Sequence, residues 1–502
     1  MNTFTRKSLH VALAGLGTLG LAGAADAVMV NPNGLGQVLI YPYYTVRSPA
    51  GAGVATYNTL LSVVNTTTST KAVKVRFREG KASAEVLDFN VFLSPFDVWT
   101  AAVTPLGGDG PSIPGTPALP GAQIETSDRS CTIPNFLPGV PVPFRSGAYE
   151  GDAVKDNSLD RLSEGYFEIF EMAVYDNTSV VGINAKHNGN GVPADCSKVT
   201  NASATLGILP PAGGLFGGAT LINVLTGDAF TEDATALVQF TDVGAYSDTG
   251  VDTPNFSNAS PFVGAAVSEL GSIVTGAFTS GSLDPEKAVT LALQKQTIVN
   301  EFVGEAATLS GTDWVVTFPT KHHFVTGTGF VPPFSSALSK GGSCDNVILD
   351  TWDREETPVT PGGPDFSPSP QPDGFALCWE ANIVSFKSII GSGIANVLGS
   401  GNAYTVNTGF TNGWARLTFD PDTAYLVPNI ATEINTVAIP PIPTDITGTT
   451  FIGLPTVGFA VQTFVNGTLS DSQGRFIQSS YGGNFGHRYT GPVAGTPLVP
   501  AP

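Results

Sequence analysis

Apolar and polar side chains alternate along several short stretches in the first half of the chain. The segments 73–78 and 87–93 place an apolar residue at nearly every second position, with charged or polar residues between. This period is typical of a strand with one buried face, so the charges of 73–78 are predicted to face water. A fuller apolar run at 59–64 ends in the turn-forming residues 65–68. Short strands separated by polar turns predict a β-sandwich of the immunoglobulin-like type.

The second half of the chain repeats these strand signals and adds one helix. Further strands are predicted at 166–175, 219–225, 314–318, 379–386, 414–419 and 457–465. Asp284 is a natural N-cap and Pro285 suits a first turn, which predicts a helix whose apolar face continues to Phe302. The chain is therefore predicted to be all-β, with two immunoglobulin-like β-sandwich domains, long Pro- and Gly-rich loops and one short helix.

The N-terminal residues predict an exported protein. Arg6 and Lys7 precede a short apolar run and the small residues at 25–27, which is typical of a secretory signal peptide. The predicted segments are the signal peptide 1–27, an N-terminal β-sandwich domain with a Pro-rich insertion at 28–212, a C-terminal β-rich domain at 213–490 and a flexible tail at 491–502. Proline-rich loops or linkers are expected at 105–143, 358–372 and 440–455. No transmembrane segment is expected after signal cleavage.

Composition and charge narrow the classes of partner. Charged residues make up 13% of the chain, about half the usual share, and the net charge is −19. An acidic chain lacks the basic face that phosphate binding requires, so nucleic acid is not expected as a partner. A hydrophobic fraction of 42% with so few charges predicts extensive buried β surface, or a surface that associates with other copies of the chain.

The four cysteines indicate disulfide bonds. They are Cys131, Cys196, Cys344 and Cys378. An even number in an exported chain is typical of disulfides, and three connectivities are open. The pairs Cys131–Cys196 and Cys344–Cys378 are favoured because loops of these lengths close readily. The alternative, a zinc site, lacks CxxC or paired-histidine spacing.

The residues that could support catalysis do not converge in the sequence. There is no GxSxG, HExxH or Walker-type phosphate loop. Glu168 and Glu171 lie in an apolar strand pattern, but their spacing of three puts them on opposite faces, so they cannot flank one glycosidic bond. We expect one or both to pair with a basic neighbour or to lie at a sheet rim. His322 and His323 are adjacent, so on a strand they face opposite sides and cannot share one metal ion. The protein is predicted not to be an enzyme.

The best candidate site is an acidic segment between the last two cysteines. Five carboxylates crowd this stretch, namely Asp345, Asp350, Asp353, Glu355 and Glu356. Because hard cations prefer several flexible oxygens, the last four predict a Ca²⁺ site or an interaction loop, with a solvated acidic loop as the alternative. No other cofactor is expected. Trp352 lies among these charges, where an exposed indole could stack on a sugar.

Four stretches resemble a family of exported, β-rich proteobacterial proteins without an assigned activity. They are 37–45 (QVLIYPYYT), 164–172 (EGYFEIFEM), 312–320 (TDWVVTFPT) and 353–356 (DREE). The resemblance implies secretion and a bacterial envelope setting, and it transfers no catalytic residue.

These observations together predict a function in binding rather than catalysis. We expect a non-enzymatic, secreted structural or interaction protein of the bacterial cell surface or extracellular matrix, with the periplasm as an alternative location. Its expected partners are copies of itself or a surface glycan. The alternative function is that of a carbohydrate-binding protein or a glycoside hydrolase.

Overall fold

A computed structural model describes the chain from Ala27 to Gly495 with several gaps. The described residues are 27–49, 57–107, 120–268, 271–279, 281–355, 375–388, 393–435, 442–446, 448–470, 472–473 and 476–495. The predicted signal peptide, apart from its last residue, lies outside them. Glu356, the proline-rich stretch 358–372 and residues 496–502 of the predicted tail also lie outside them.

Strands account for most of the regular structure. The first half contains β1 (Met29–Val30), β2 (Val38–Thr45), β3 (Tyr57–Asn65), β4 (Thr70–Glu79), β5 (Glu85–Leu93), β6 (Val98–Pro105), β7 (Ala122–Glu125), β8 (Cys131–Ile133), β9 (Val142–Pro143), β10 (Glu164–Tyr175), β11 (Ile208–Leu209), β12 (Leu215–Asn223), β13 (Ala229–Asp233) and β14 (Thr235–Val238). The second half contains β15 (Val263–Val267), β16 (Ile273–Ala277), β17 (Gln294–Lys295), β18 (Thr297–Val303), β19 (Gly311–Thr317), β20 (Val325–Thr326), β21 (Gly329–Phe330), β22 (Asp345–Trp352), β23 (Phe375–Leu377), β24 (Ala381–Ser388), β25 (Ala403–Thr408), β26 (Asn412–Phe419), β27 (Tyr425–Leu426), β28 (Ile430–Asn435), β29 (Ile442–Asp445), β30 (Thr450–Ile452), β31 (Leu454–Pro455), β32 (Phe459–Ser470), β33 (Phe476–Gly486), β34 (Arg488–Thr490) and β35 (Val493–Gly495).

Within the described ranges, four short α-helices accompany these strands. They are α1 (Val180–Asn184), α2 (Asn201–Ala204), α3 (Asp284–Leu293) and α4 (Lys321–Phe324). Single 3-10 turns occur at Leu159–Ser163, Cys196–Lys198, Phe256–Asn258 and Ala306–Thr308. The all-β prediction is confirmed, although the expectation of a single helix is wrong.

Strands β1 to β14 form two sheets that pack face to face as the first β-sandwich. One sheet has the order β1–β14–β2–β10–β4–β5–β8, with β11 paired to β10, and the other has the order β13–β12–β3–β6–β7–β9. Alternate residues of both sheets point into a shared core, where Tyr41 stacks on Phe167 at 4.1 Å and Trp99 is fully buried. β12 and β14 pair with β3 and β2, so they are attached to this sandwich, although the predicted boundary at 212/213 places them in the second domain.

The second β-sandwich consists of two five-stranded sheets. The order of one is β23–β22–β26–β18–β34, and that of the other is β25–β24–β19–β32–β33. Their facing sides share a core in which Phe302 stacks on Phe386 at 5.1 Å and Trp314 is fully buried. A smaller sheet, β15–β16–β28–β29, shares an apolar cluster with helix α3. The sandwich architecture agrees with the sequence, while its immunoglobulin-like type stays a prediction.

Helix α3 is the predicted helix, but it ends earlier than its apolar pattern indicates. Asp284 is its first residue rather than its N-cap, and the Asp284 carboxylate accepts a hydrogen bond from Gly281 N at 3.0 Å. The expected continuation to Phe302 is wrong, because β17 and β18 follow directly. Three consecutive β-branched residues at 297–299 favour extended backbone over helix.

The charged face of β4 is buried, and the prediction that it faces water is wrong. Lys74, Arg76 and Arg78 are at most 4% exposed. Carbonyl groups of the segment 248–254 accept hydrogen bonds from Lys74 and Arg76, and Glu168 accepts one from Arg78. This segment lies about 170 residues further along the chain, so the local alternation of β4 carries no sign of it.

Several of the predicted loops contain paired strands. β7 and β9 pair within 105–143. β29 lies within the third proline-rich stretch and pairs with β28, which precedes that stretch. β35 pairs with β30, so the segment predicted as a flexible tail begins with an ordered strand. None of the helices in the described ranges has the length and apolar character needed to cross a membrane.

The two sandwiches are joined by hydrogen bonds between buried groups. Thr317 Oγ1 donates to Pro42 O at 2.7 Å, and Ala381 N donates to Gly80 O at 2.9 Å. Buried bonds of this kind lose their partners if the halves separate, so the two sandwiches stabilise each other.

Candidate functional site

Both disulfides have the favoured connectivity. Cys131 is bonded to Cys196 and Cys344 to Cys378. The second bond joins the residue before β22 to the residue after β23, and these two strands pair antiparallel. It therefore fixes one end of the acidic strand β22. Two disulfides indicate an oxidising compartment, either extracellular or periplasmic.

The acidic residues of the candidate calcium site lie in different surroundings. Asp350 forms an ion pair with Arg416 at 2.8 Å on the outer face of the sheet. Asp353 accepts a hydrogen bond from Glu355 N at 2.9 Å, and Glu356 lies outside the described residues. Across the described part of the chain, no three side chains of His, Cys, Asp or Glu converge as metal ligands would. The Ca²⁺ site stays a prediction.

Asp345, the fifth carboxylate of this segment, points into the protein. It is 2% exposed and accepts a hydrogen bond from Lys321 Nζ at 2.9 Å. Its other oxygen accepts hydrogen bonds from Ser335 N and Ser335 Oγ. These contacts anchor the start of β22 and leave Asp345 without access to a ligand in solvent.

The outer face of β22 and β26 carries a pair of stacked indoles, of which Trp414 is exposed and Trp352 is half-buried. Trp352 and Trp414 are directly opposite in the register, with ring centroids 4.1 Å apart and an angle of 13° between the ring planes. The guanidinium of Arg416 lies 5.3 Å from the centroid of the Trp352 ring. We call this surface, consisting of Ile348, Asp350, Trp352, Trp414 and Arg416, the tryptophan patch.

The alternation of β26 explains why these side chains face solvent. Ala415 and Leu417 point into the core of the second sandwich and are fully buried. Trp414 and Arg416 alternate with them along β26 and therefore point outward. Gly413 lets β22 approach closely, because a Cβ at this position would lie 1.9 Å from Trp352 O. The two strands therefore hold the indoles in contact.

The tryptophan patch exposes apolar surface on the outer face of the sheet. Trp414 is 37% exposed and Ile348 is 54% exposed. Large aromatic residues and arginine dominate the binding energy of protein interfaces. Sequence reasoning identified Trp352 but missed Trp414 and Arg416. Their signal was the alternation of 412–419, which puts both on the polar face.

The two glutamates considered for catalysis have structural roles. Glu168 is fully buried and its Oε2 accepts a hydrogen bond from Arg78 Nε at 3.1 Å. Burial raises the pKa of the Glu168 carboxyl, and the charge of Arg78 opposes this shift. Glu171 pairs with Lys71, and neither side chain is exposed. Both glutamates pair with a basic neighbour, as expected.

The histidine pair lies on a helix, so its predicted placement on a strand is wrong. His322 and His323 belong to α4, and their ring centroids are 4.0 Å apart. Burial lowers the pKa of His323 to about 3, which leaves its imidazole neutral. His323 Nδ1 lies 3.8 Å from Glu286 Oε1. The His323 ring also contacts Phe256, at a centroid distance of 6.0 Å.

No protein-family model, curated protein or solved structure matches this chain. The resemblance to exported proteobacterial proteins therefore stays a prediction. The tryptophan patch combines stacked indoles, an exposed isoleucine and an ion pair on one surface.

Proposed function

We propose that this protein is a secreted, non-enzymatic interaction protein of the bacterial cell surface or extracellular matrix, and that it associates with its own copies through the tryptophan patch. The partly exposed Trp352–Trp414 stack is the observation that carries the proposal. Covering two indoles and Ile348 with a partner removes apolar surface from water, which favours association.

A second copy is the partner that the charges of the patch favour. Asp350 and Arg416 lie side by side, so in a two-fold arrangement the arginine of one copy faces the aspartate of the other. The chain as a whole carries a net charge of −19, which repels other copies. The patch balances one negative charge with one positive charge, so it is a favourable place for two acidic chains to meet.

Export is part of the same proposal. The signal-peptide pattern at the N-terminus and the two disulfides both support an oxidising destination outside the cytosol. Fractionation of the host followed by non-reducing electrophoresis tests it. Oxidised protein is expected outside the cytosol, and reduced protein recovered from the cytosol contradicts export.

Sedimentation velocity of the purified mature protein tests self-association. We expect concentration-dependent association, and Trp414→Ala should weaken it by about thirtyfold, the effect of losing one interface hot spot. Leu206→Ala is the matched control, because Leu206 is also an exposed apolar residue, at 64%, but lies on the first sandwich. A strict monomer, or an equal effect of both substitutions, refutes the proposal.

Carbohydrate binding is the second candidate, because exposed indoles can stack on sugar rings. The ring of Trp352 already contacts Trp414 and Arg416, so a sugar would have to use the remaining face of Trp414 or displace these contacts. A glycan array with the mature protein distinguishes the two candidates. Glycan binding that Trp414→Ala abolishes, together with a monomeric state, favours the second.

A further inference from the structure

A cavity of about 440 Å³ lies between the two sandwiches. Its walls are mostly apolar and come from both halves of the chain, including Met29, Val30, Ile273, Leu293 and Val457. This volume falls within the range of small-molecule sites, which commonly occur where two domains meet. The cavity is separate from the tryptophan patch, and none of the residues of the patch lines it.

One lysine lines this cavity without a bound counter-ion. Lys295 is the last residue of the short strand β17, which pairs with β31. In the described ranges, no hydrogen bond or ion pair involves Lys295 Nζ, which lies 4.8 Å from the centroid of the Tyr489 ring. Glu232 is the nearby carboxylate, but its Oε2 accepts a hydrogen bond from Asn484 Nδ2 at 2.6 Å instead. The Lys295 ammonium therefore lies beside apolar walls without a paired anion, which a bound ligand would supply.

The other titratable side chains at this ammonium are Glu232, His487 and Tyr489, and Asp233 is the neighbour of Glu232 in the chain. Burial lowers the pKa of Lys295 to about 8, and the charge of Glu232 opposes this shift. Burial raises the pKa of Glu232 to about 7, so near neutral pH this carboxyl is partly protonated. Burial also lowers the pKa of His487 to about 3, which keeps its ring neutral. The cavity thus presents a positive charge with little negative charge near it below neutral pH.

We propose that this cavity binds a small amphiphilic carboxylate, whose head group pairs with the Lys295 ammonium and whose hydrocarbon tail fills the apolar part. Two observations favour this class of ligand. An anionic head supplies the ion pair that Lys295 lacks, and an apolar tail matches the walls around Met29 and Leu293. A cationic ligand would be repelled by Lys295, and a neutral apolar ligand would leave the ammonium unpaired.

Titration calorimetry with octanoate and octan-1-ol tests the proposal on the mature, disulfide-bonded protein. At about pH 6 we expect octanoate to bind and Lys295→Met to weaken its binding by about tenfold or more, with octan-1-ol binding unchanged. Octanoate binding to the wild-type protein should weaken between about pH 6 and about pH 9, because the Lys295 ammonium loses its proton and the Glu232 carboxyl becomes charged. Lys340→Met, which removes an exposed lysine, is the matched control. Octanoate that fails to bind, or that binds equally well to Lys295→Met, overturns the proposal.

Chemical protection of the wild-type protein provides a test that does not depend on a variant folding. Octanoate should slow the acetylation of Lys295 by acetic anhydride about tenfold and leave that of Lys340 unchanged, because only the first amine is covered. Peptide mass mapping measures both rates. Equal acetylation of Lys295 with and without octanoate overturns the proposal.

Discussion

Replacing Glu171 with leucine should strongly destabilise the first sandwich. The Glu171 carboxylate pairs with Lys71 across β10 and β4, and both side chains are fully buried. It also accepts hydrogen bonds from Ala212 N at 3.0 Å and Gly213 N at 2.7 Å. It therefore holds the loop before β12 against the central strand β10 as well as neutralising Lys71.

The expected loss follows from what Glu171→Leu leaves behind. Breaking a buried ion pair costs about 3–5 kcal/mol, because the remaining ammonium has no partner. Each backbone N–H that loses its acceptor adds about 1–3 kcal/mol, although these costs overlap. We expect the free energy of unfolding to fall by about 5 kcal/mol. Adding Lys71→Met removes the orphaned charge and should recover about half of this loss.

Urea unfolding near neutral pH, followed by far-UV circular dichroism with the disulfides intact, measures these differences. Hydrogen exchange of peptides from β10 shows whether the loss is local to this strand. Glu150→Leu is the matched control and should change stability by less than about 0.5 kcal/mol, because Glu150 is exposed. A loss below about 1 kcal/mol for Glu171→Leu, or a double variant as unstable as the single one, refutes the reasoning.

Three further predictions concern other parts of the molecule. Burial raises the pKa of Asp313 to about 6, so the stability that its protonated carboxyl contributes at low pH is lost as the pH rises through about 6. Thermal unfolding should therefore show Asp313→Asn to be more stable than wild type by about 2 kcal/mol at about pH 7.5, and no more stable at about pH 4. Replacing both Cys344 and Cys378 with alanine should cost about 4 kcal/mol in urea unfolding, because their bond closes a 34-residue separation. Calcium at about 5 mM tests the predicted Ca²⁺ site: a rise of several degrees in the melting temperature supports it, and an unchanged melting temperature supports the solvated acidic loop, in which Arg416 neutralises Asp350.

The strands were largely predictable because their signal is local. The alternation at 73–78 and 87–93 corresponds to β4 and β5, and the run at 59–64 falls within β3. Each depends on side chains only a few residues apart. The two disulfides were predictable for a similar reason, since consecutive cysteines close the shortest loops.

The remaining features depend on which distant segments come together. Lys74 and Arg76 alternate like solvent-facing residues, yet the segment 248–254 covers them. Trp352 could be recognised as lying at the surface because charges surround it in the sequence, and the structure places it there half-buried. Its contact with Trp414 requires the register of β22 against β26, which no local pattern specifies.

The pairing of consecutive cysteines has a consequence for how this chain matures. In a chain that crosses a membrane from its N-terminus, Cys131 and Cys196 emerge before Cys344, so each thiol meets its native partner in order of arrival. An oxidant that simply joins thiols as they appear then produces the correct bonds, and no shuffling enzyme is needed. Overproduction in a host that has only such an oxidant should therefore give correctly bonded protein.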